Sequence, residues 1–146
     1  MPLQVVLDTN VLVAAFRSRR GASFALLARL AEPAPGYELH VSVPLVFEYE
    51  AVLQRQAPAL GVPQQVVEDV LDFVCAVAHR REVFFLWRPA LRDAGDDMVL
   101  ELAVAAGADY VVTFNARDFA GAERFGVRVI GPRELLRQLE NAEGGR

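Results

Sequence analysis

The chain contains no lysine and only one cysteine, and each shortage excludes a kind of chemistry. All 15 basic residues are arginine, which excludes Schiff-base catalysis and any phosphate site that depends on lysine. The single thiol, Cys75, allows no internal disulfide, so we expect a reducing compartment. We interpret Cys75 as a small buried hydrophobe in a helix. The use of arginine alone agrees with a compositional bias, although arginine also suits bidentate phosphate contacts.

Long apolar runs and an excess of positive charge are missing too. No run approaches the roughly 20 residues of a membrane span, and residues 1–4 lack the basic region of a signal peptide. We therefore expect a cytoplasmic protein with no membrane partner. The net charge of −4 is not the basic excess that is typical of nucleic-acid binders.

The length and the apolar content indicate one globular domain. A domain of roughly 150 residues buries about 68–70% of its unfolded surface, and this chain of 146 residues is 53% hydrophobic. We predict a single domain over residues 1–146, with an ordered core over residues 3–140 and a tail over 141–146.

Apolar strand patterns alternate with helical patterns along the chain. Strands are predicted at residues 3–7, 39–43, 83–86, 110–113 and 127–130. Helices are predicted from residue 11, over 22–31 and 44–56, from the "DAGDD" segment to 106, and over 133–143. A further long helix has one apolar face, formed by Val66, Val67, Val70, Leu71, Val74 and Val77. This alternation predicts the α/β class, a three-layer α/β/α sandwich with a mostly parallel central sheet.

Acidic and amide side chains follow the predicted strands. The candidates are Asp8, Glu48, Glu50, Asp93, Asp96, Asp97, Asn115 and Asp118. Ligands of open parallel sheets bind outside the carboxyl ends of the strands, so acids from distant segments can converge there. Two carboxylates about 4 Å apart repel by about 4 kcal/mol at an effective dielectric of 20, and a divalent cation would offset that repulsion. Oxygen ligands without histidine or cysteine suit Mg²⁺ or Mn²⁺.

Several of these residues also have a purely structural interpretation. Asp8 or Asn10 can cap the first helix. Asp96 or Asp97 can lie at a helix N-terminus, where the helix dipole favours an anion. For any one of these residues, the structural interpretation is stronger than a functional one. Because several acids are expected to converge at one edge of the sheet, the structural interpretation is weaker for the group as a whole.

Glu48 and Glu50 flank an apolar stripe on opposite edges of their helix, as surface glutamates do. The helical pattern alone does not choose between them as a site residue. His40 and His79 lack the spacing of metal ligands, and we interpret them as structural or surface residues.

Four segments, in this order, resemble the PIN domain family: "VVLDTNVLVAAF", "SVPLVFEYEAVLQR", "RDAGDDMVLELAVAAGADYVVTFNARDF" and "GVRVIGPRELL". The resemblance covers nearly the whole chain and is strongest to the bacterial toxins of toxin–antitoxin pairs, the relatives of VapC. It implies a PIN-like fold and a ribonuclease whose acids bind Mg²⁺ or Mn²⁺. Asp8 falls on the first acid of the family, Glu48 rather than Glu50 on the second, and Asp96 on the third.

The fourth position departs from the family, because this chain has Asn115 where many members have aspartate. An amide can ligate a metal but brings no charge, so Asp118 is a further candidate ligand. Thr9 is expected to support Asp8 by hydrogen bonding, and Thr113 ends the strand that leads to the fourth position. Asp93 and Asp97, named above, are auxiliary candidates.

The predicted activity is hydrolysis of RNA phosphodiester bonds, most simply by the toxin of a type II toxin–antitoxin pair. The predicted partners are RNA, a cognate antitoxin and a second copy in a homodimer. Arg17, Arg19 and Arg20 are candidates for holding the RNA backbone, with a solvated loop as the alternative.

Two rival functions share parts of this pattern. Phosphoryl transfer through an aspartyl intermediate is disfavoured, because such enzymes carry a second aspartate two residues after the first, where this chain has Asn10, and a lysine. A catalytically weak or inactive module that binds RNA or protein on a PIN fold remains open, because Asn115 replaces an acid.

Overall fold

The computed structural model describes residues 1–83 and 94–144. The strands in these ranges are β1 (Leu3–Leu7), β2 (Tyr37–Val41), β3 (His79–Arg80), β4 (Tyr110–Val112) and β5 (Arg128–Ile130). The helices there are α1 (Thr9–Arg17), α2 (Ala22–Arg29), α3 (Val43–Leu60), α4 (Gln64–Val77), α5 (Ala94–Ala106) and α6 (Pro132–Gly144). Two short 3₁₀ turns, Ala116–Phe119 and Ala122–Phe125, connect β4 to β5.

The strands form one sheet in the order β3-β2-β1-β4-β5, and every neighbouring pair is parallel. Right-handed crossovers then put α1 to α4 on one face and α5, which contacts β1, β2 and β4, on the other. The predicted three-layer α/β/α fold is thereby confirmed. The chain leaves β1 toward β2 but later returns to the opposite side of β1 with β4. The gap between β1 and β4 is therefore the switch point where such sheets bind ligands.

Strand β1 lies at the centre of the core because its neighbours cover it on all sides. Val5, Val6 and Leu7 are completely buried. The buried Tyr49 of α3 donates its hydroxyl hydrogen to the carbonyl oxygen of Leu7 at 2.5 Å, and burial raises the pKa of this phenol well above its ordinary value. Tyr49 therefore stays a donor and ties α3 to the carboxyl end of β1.

The third strand of the described sheet lies at other residues than the apolar run that predicted a strand. The structure puts β3 at His79–Arg80, paired with His40 and Val41 of β2, whereas the apolar run at 83–86 predicted it there. Val83 lies outside the strand, and residues 84–86 lie outside the described ranges. Both residues of β3 are exposed, so this short edge strand carries no apolar pattern that a sequence search could detect.

Helix starts also differ from the prediction, for reasons of capping. Helix α1 begins at Thr9 rather than residue 11, because Asp8 caps it by accepting a hydrogen bond from the Thr9 backbone N–H at 2.9 Å. Helix α3 begins one residue early behind a Ser42 cap. It also continues four residues beyond the predicted end at 56, until Gly61 takes up a left-handed conformation with φ of 68°.

The apolar face of α4 is narrower than predicted. Val67, Leu71 and Val74 are buried, at the spacing of one helical stripe, but Val66 and Val77 are exposed. Cys75 lies in this helix as expected but is only half-buried.

Two further points concern the surface and the end of the chain. No helix in the described ranges is long and apolar enough to span a membrane. Residues 141–144, predicted as the start of the tail, form the exposed last turn of α6.

Candidate active site

The carboxyl ends of β1 and β4 open into a pocket of about 620 Å³, which we call the acid pocket. Residues from both strand ends and from α1, α3 and α5 line it. Among them are all of the acids that the family resemblance selects. The lining includes Asp8, Asn10, Arg17, Glu48, Asp96, Phe114, Asn115 and Asp118.

Asp8 is held at the floor of the acid pocket by hydrogen bonds to both carboxylate oxygens. The Thr9 backbone N–H donates to Oδ1 at 2.9 Å, and the Thr113 hydroxyl donates to Oδ2 at 2.7 Å. Only 7% of Asp8 is exposed. The two interpretations of Asp8 are therefore compatible, since it caps α1 and also lines the pocket.

The pKa of Asp8 is raised above its ordinary value of 3.8. Burial is the largest cause, because it disfavours the charged carboxylate. The hydrogen bonds from Thr113 and Thr9 lower the pKa, whereas the neighbouring charges of Glu48 and Asp118 raise it. Negative charge from two other segments therefore acts on Asp8, and a cation in the pocket would oppose the upward shift.

Glu48 joins Asp8 through Thr9. The Thr9 hydroxyl donates to Oε2 of Glu48 at 2.5 Å, whereas its backbone N–H binds Asp8. The expectation that Thr9 supports Asp8 therefore holds for its backbone, while its side chain orients the second acid. Glu50, two residues further along α3, is exposed and does not line the pocket.

Thr113 connects the end of β4 to Asp8 and to two asparagines. Its hydroxyl oxygen accepts hydrogen bonds from the Asn115 backbone N–H at 3.0 Å and from Nδ2 of Asn10 at 3.2 Å. Asn10 in turn accepts at Oδ1 from the backbone N–H of Phe114 at 3.3 Å. Sequence reasoning missed this role of Asn10 in joining α1 to the segment after β4, and its position in "LDTN" was the one signal for it.

Removing the Thr113 hydroxyl should disturb the site through Asp8. We expect Thr113→Val to weaken Mn²⁺ binding by roughly 10- to 100-fold, the usual effect of losing a partner that orients a metal ligand. Thr113→Ser keeps the hydroxyl and should stay within a few-fold of wild type. Titration calorimetry measures both, and equal affinity in the valine variant and wild type would contradict this role.

The remaining predicted acids differ in their placement. Asp96, in the first turn of α5, lines the acid pocket, whereas Asp97 beside it does not. Asp93 lies outside the described residues. Asp118 is exposed at the first 3₁₀ turn and lines the pocket.

Asn115 lines the pocket at the turn after β4. Its backbone carbonyl accepts from the Asp118 N–H at 2.9 Å, but its side chain makes no capping hydrogen bond to the 3₁₀ turn. The backbone of Asn115 therefore shapes this turn, and the side-chain amide is not needed for it.

The structure separates the three candidate arginines. Arg17 lines the acid pocket. Arg19 lines a different, mainly apolar cavity between α1, α2 and α4. Arg20 is exposed and lines neither of them. Of these three arginines, only Arg17 lines the same pocket as the candidate acids.

The two histidines lie away from this pocket, at the β2–β3 edge. His40 is buried and accepts at Nδ1 from Nε of Arg81 at 3.2 Å. The exposed His79 stacks on it with ring centroids 5.0 Å apart. Their structural and surface interpretation fits this placement.

The donor chemistry of the acid pocket fits a hard divalent cation. Its candidate ligands are carboxylate and amide oxygens, which Mg²⁺ and Mn²⁺ prefer, and the charges of Glu48 and Asp118 already act on the buried Asp8. Within residues 1–83 and 94–144, no three acids, histidines or cysteines lie close enough together to enclose an ion. The acids that the structure describes line one pocket but do not form a closed ligand set.

Comparison with known proteins assigns the chain to a family. Among curated proteins, no sequence matches it significantly. Its fold is similar to a chain of VapBC2 from Rickettsia felis, solved bound to a DNA fragment from their promoter. The TM-score is 0.57, with 14% sequence identity, and the match covers 88% of this chain and 98% of the other. The model of the PIN domain matches residues 4–117, well over half of the sequence. The chain therefore belongs to the PIN domain family, whose members are generally nucleases that use divalent metals.

Proposed function

We propose that this protein is a Mg²⁺- or Mn²⁺-dependent endoribonuclease that hydrolyses RNA phosphodiester bonds from the acid pocket. The observation that carries the proposal is the convergence of Asp8, Glu48 and Asp96, from three distant segments, at the switch point of the sheet. The burial of Asp8 among further negative charge supports it, because a core carboxylate without a counter-charge is costly.

In this proposal Asp8, Glu48 and Asp96 hold the metal, with Asn115 and Asp118 as additional oxygen donors. A bound divalent ion supplies positive charge that activates water and stabilises the negative charge developing on the phosphate. The chain's own residues set the positions of the ligands. Thr113 and the Thr9 backbone orient Asp8, and the Thr9 hydroxyl orients Glu48.

The direct test is cleavage of a mixed RNA pool by the purified protein with Mg²⁺, with Mn²⁺ and with EDTA. We expect cleavage in both metals and none with the chelator. Cleavage that persists in EDTA would exclude the metal-dependent mechanism.

A second candidate function is a catalytically weak module that binds RNA or protein. Two points favour it. The family resemblance puts Asn115 where many members have aspartate, and the described acids do not enclose an ion. RNA binding without cleavage in either metal would support this alternative.

Biologically, we propose the toxin of a type II toxin–antitoxin pair, acting in the cytoplasm as a single PIN domain and a homodimer. The structural likeness to a VapBC2 chain supports an antitoxin partner. Co-expression with the product of an adjacent small gene, followed by size-exclusion chromatography, tests the pairing.

Asn115→Asp should tighten Mn²⁺ binding. Metal affinity at oxygen sites depends on the number of charged ligands, and this nearly isosteric change adds a charge at the pocket wall. The side chain makes no capping bond that the substitution would break. Titration calorimetry on wild type, Asn115→Asp and Asp118→Ala measures the effect. Equal affinity in wild type and Asn115→Asp would remove Asn115 from the site.

Arg17 should contact a substrate phosphate, whereas Arg20 should not. For single-stranded nucleic acid, each lost phosphate contact lowers the slope of log affinity against log salt by about 0.7. We expect that change for Arg17→Gln and none for the matched control Arg20→Gln. RNA-binding titrations at several salt concentrations measure both slopes. Equal slopes in the two variants would show that Arg17 does not contact a phosphate.

A further inference from the structure

We propose that Phe114 is a stacking platform for one base of the substrate strand, next to the acids that handle the phosphate. This inference rests on the proposed nuclease function and adds a positioning and specificity role for one residue.

The exposure of Phe114 is the first observation. Its side chain is a large apolar group, yet the residue is 56% exposed, directly after the buried Thr113. It also lines the acid pocket, where the neighbouring lining residues Asn10, Asn115 and Asp118 are polar. Packing within the described residues therefore leaves much of Phe114 uncovered in the acid pocket.

The backbone of Phe114 is fixed relative to Asp8. Its N–H donates to Oδ1 of Asn10, and the next backbone N–H, of Asn115, donates to the Thr113 hydroxyl. That same hydroxyl donates to Asp8 at 2.7 Å. Phe114 directly follows Thr113, the residue that anchors Asp8. Their Cα atoms are therefore about 3.8 Å apart.

This arrangement suits a nucleotide whose base is not paired. Every base offers a π-face, and stacking on an aromatic side chain is tolerant of sequence. A base on the Phe114 ring would place its strand across the acid pocket, with Arg17 at the same pocket for a phosphate. Bases inside a duplex are already stacked on each other, so the ring favours an unpaired strand.

The test uses proteins that carry Asp8→Asn, so that the strand stays intact. The probe is a fluorescein-labelled single-stranded RNA of about 12 nucleotides, within the site sizes of single-strand binders. Adding Phe114→Ala should weaken binding by about 5- to 150-fold, which is the range that loss of one stacked base gives. Phe114→Trp keeps the stacking surface and should restore binding. Phe125→Ala is the matched control, because Phe125 is also exposed but does not line the pocket.

A second arm changes the ligand instead of the protein. Strands with one abasic nucleotide at successive positions should show a position at which loss of the base weakens binding. In Phe114→Ala that sensitivity should disappear. A merely structural role for the ring would lower binding to all strands equally and would leave the abasic pattern unchanged, which would overturn the proposal.

Other outcomes are equally decisive. Equal binding by the Phe114→Ala protein and its parent, or no binding of the strand by the parent, would overturn the stacking role. If Phe114→Ala instead loses a dimer seen by light scattering while RNA binding is unchanged, the ring belongs to an interface between copies. Failure of the nuclease proposal would be seen separately, as absence of metal-dependent cleavage by the wild-type protein.

Discussion

Asp8→Asn should reduce RNA cleavage by at least about 100-fold while leaving the fold intact. Residues that merely orient metal ligands are worth 10- to 100-fold, and Asp8 is proposed as a ligand itself. Asparagine keeps an oxygen that can accept the capping bond from Thr9 but brings no charge to the pocket. Cleavage rates of both proteins in Mg²⁺, with circular dichroism to check folding, measure the effect.

The same substitution should also change how the stability of the metal-free protein depends on pH. Because the pKa of Asp8 is raised in the folded state, the folded protein binds this proton more tightly than the unfolded chain. The contribution of wild-type Asp8 to stability is therefore present below its ordinary pKa of 3.8 and is lost as pH rises through the raised value. The amide that replaces this carboxyl group does not titrate, so the stability of the variant relative to wild type should increase between acidic and neutral pH.

Urea unfolding in EDTA over that pH range measures this difference. Asp72→Asn is the matched control, because Asp72 is exposed on α4 and should change neither cleavage nor this pH dependence. Undiminished, Mg²⁺-dependent cleavage by purified Asp8→Asn would contradict the mechanism proposed for the acid pocket.

Glu48→Gln should reduce cleavage by at least about 100-fold, whereas Glu50→Gln should leave it unchanged. Both glutamates lie on α3, but of the two only Glu48 lines the acid pocket and accepts a hydrogen bond from the Thr9 hydroxyl. Glutamine keeps the shape of the side chain and removes the charge that a divalent cation needs, and the expected loss exceeds that of an orienting residue.

The pair forms an internally matched comparison, because the two variants share the helix, the chemistry and the net charge. Single-turnover cleavage at several Mg²⁺ concentrations measures both. Partial recovery of Glu48→Gln at high Mg²⁺ is expected if the lost carboxylate is a ligand. Equal loss in both variants would point instead to a general effect of charge on α3.

Much of the fold could be predicted from local sequence, because it depends on patterns within one segment. The buried run of β1 and the alternation of strands and helices are of this kind. They predicted the parallel sheet, and the position of Asp8 directly after a strand predicted the edge at which the pocket lies. The family resemblance selected Glu48 over Glu50, a choice that helical periodicity alone left open.

Tertiary structure decided which side chains meet, because the meeting partners are far apart in sequence. Thr113 and Asp8 are 105 residues apart, and Thr9 and Glu48 are 39 apart. They meet because β1 lies between β2 and β4, an order that no local pattern specifies. The position of the edge strand β3 was likewise not detectable, because both of its residues are exposed and form no apolar pattern. The sequence by itself therefore determined the fold class and the acids at the sheet edge, and the packing of distant segments around β1 determined how those acids are held.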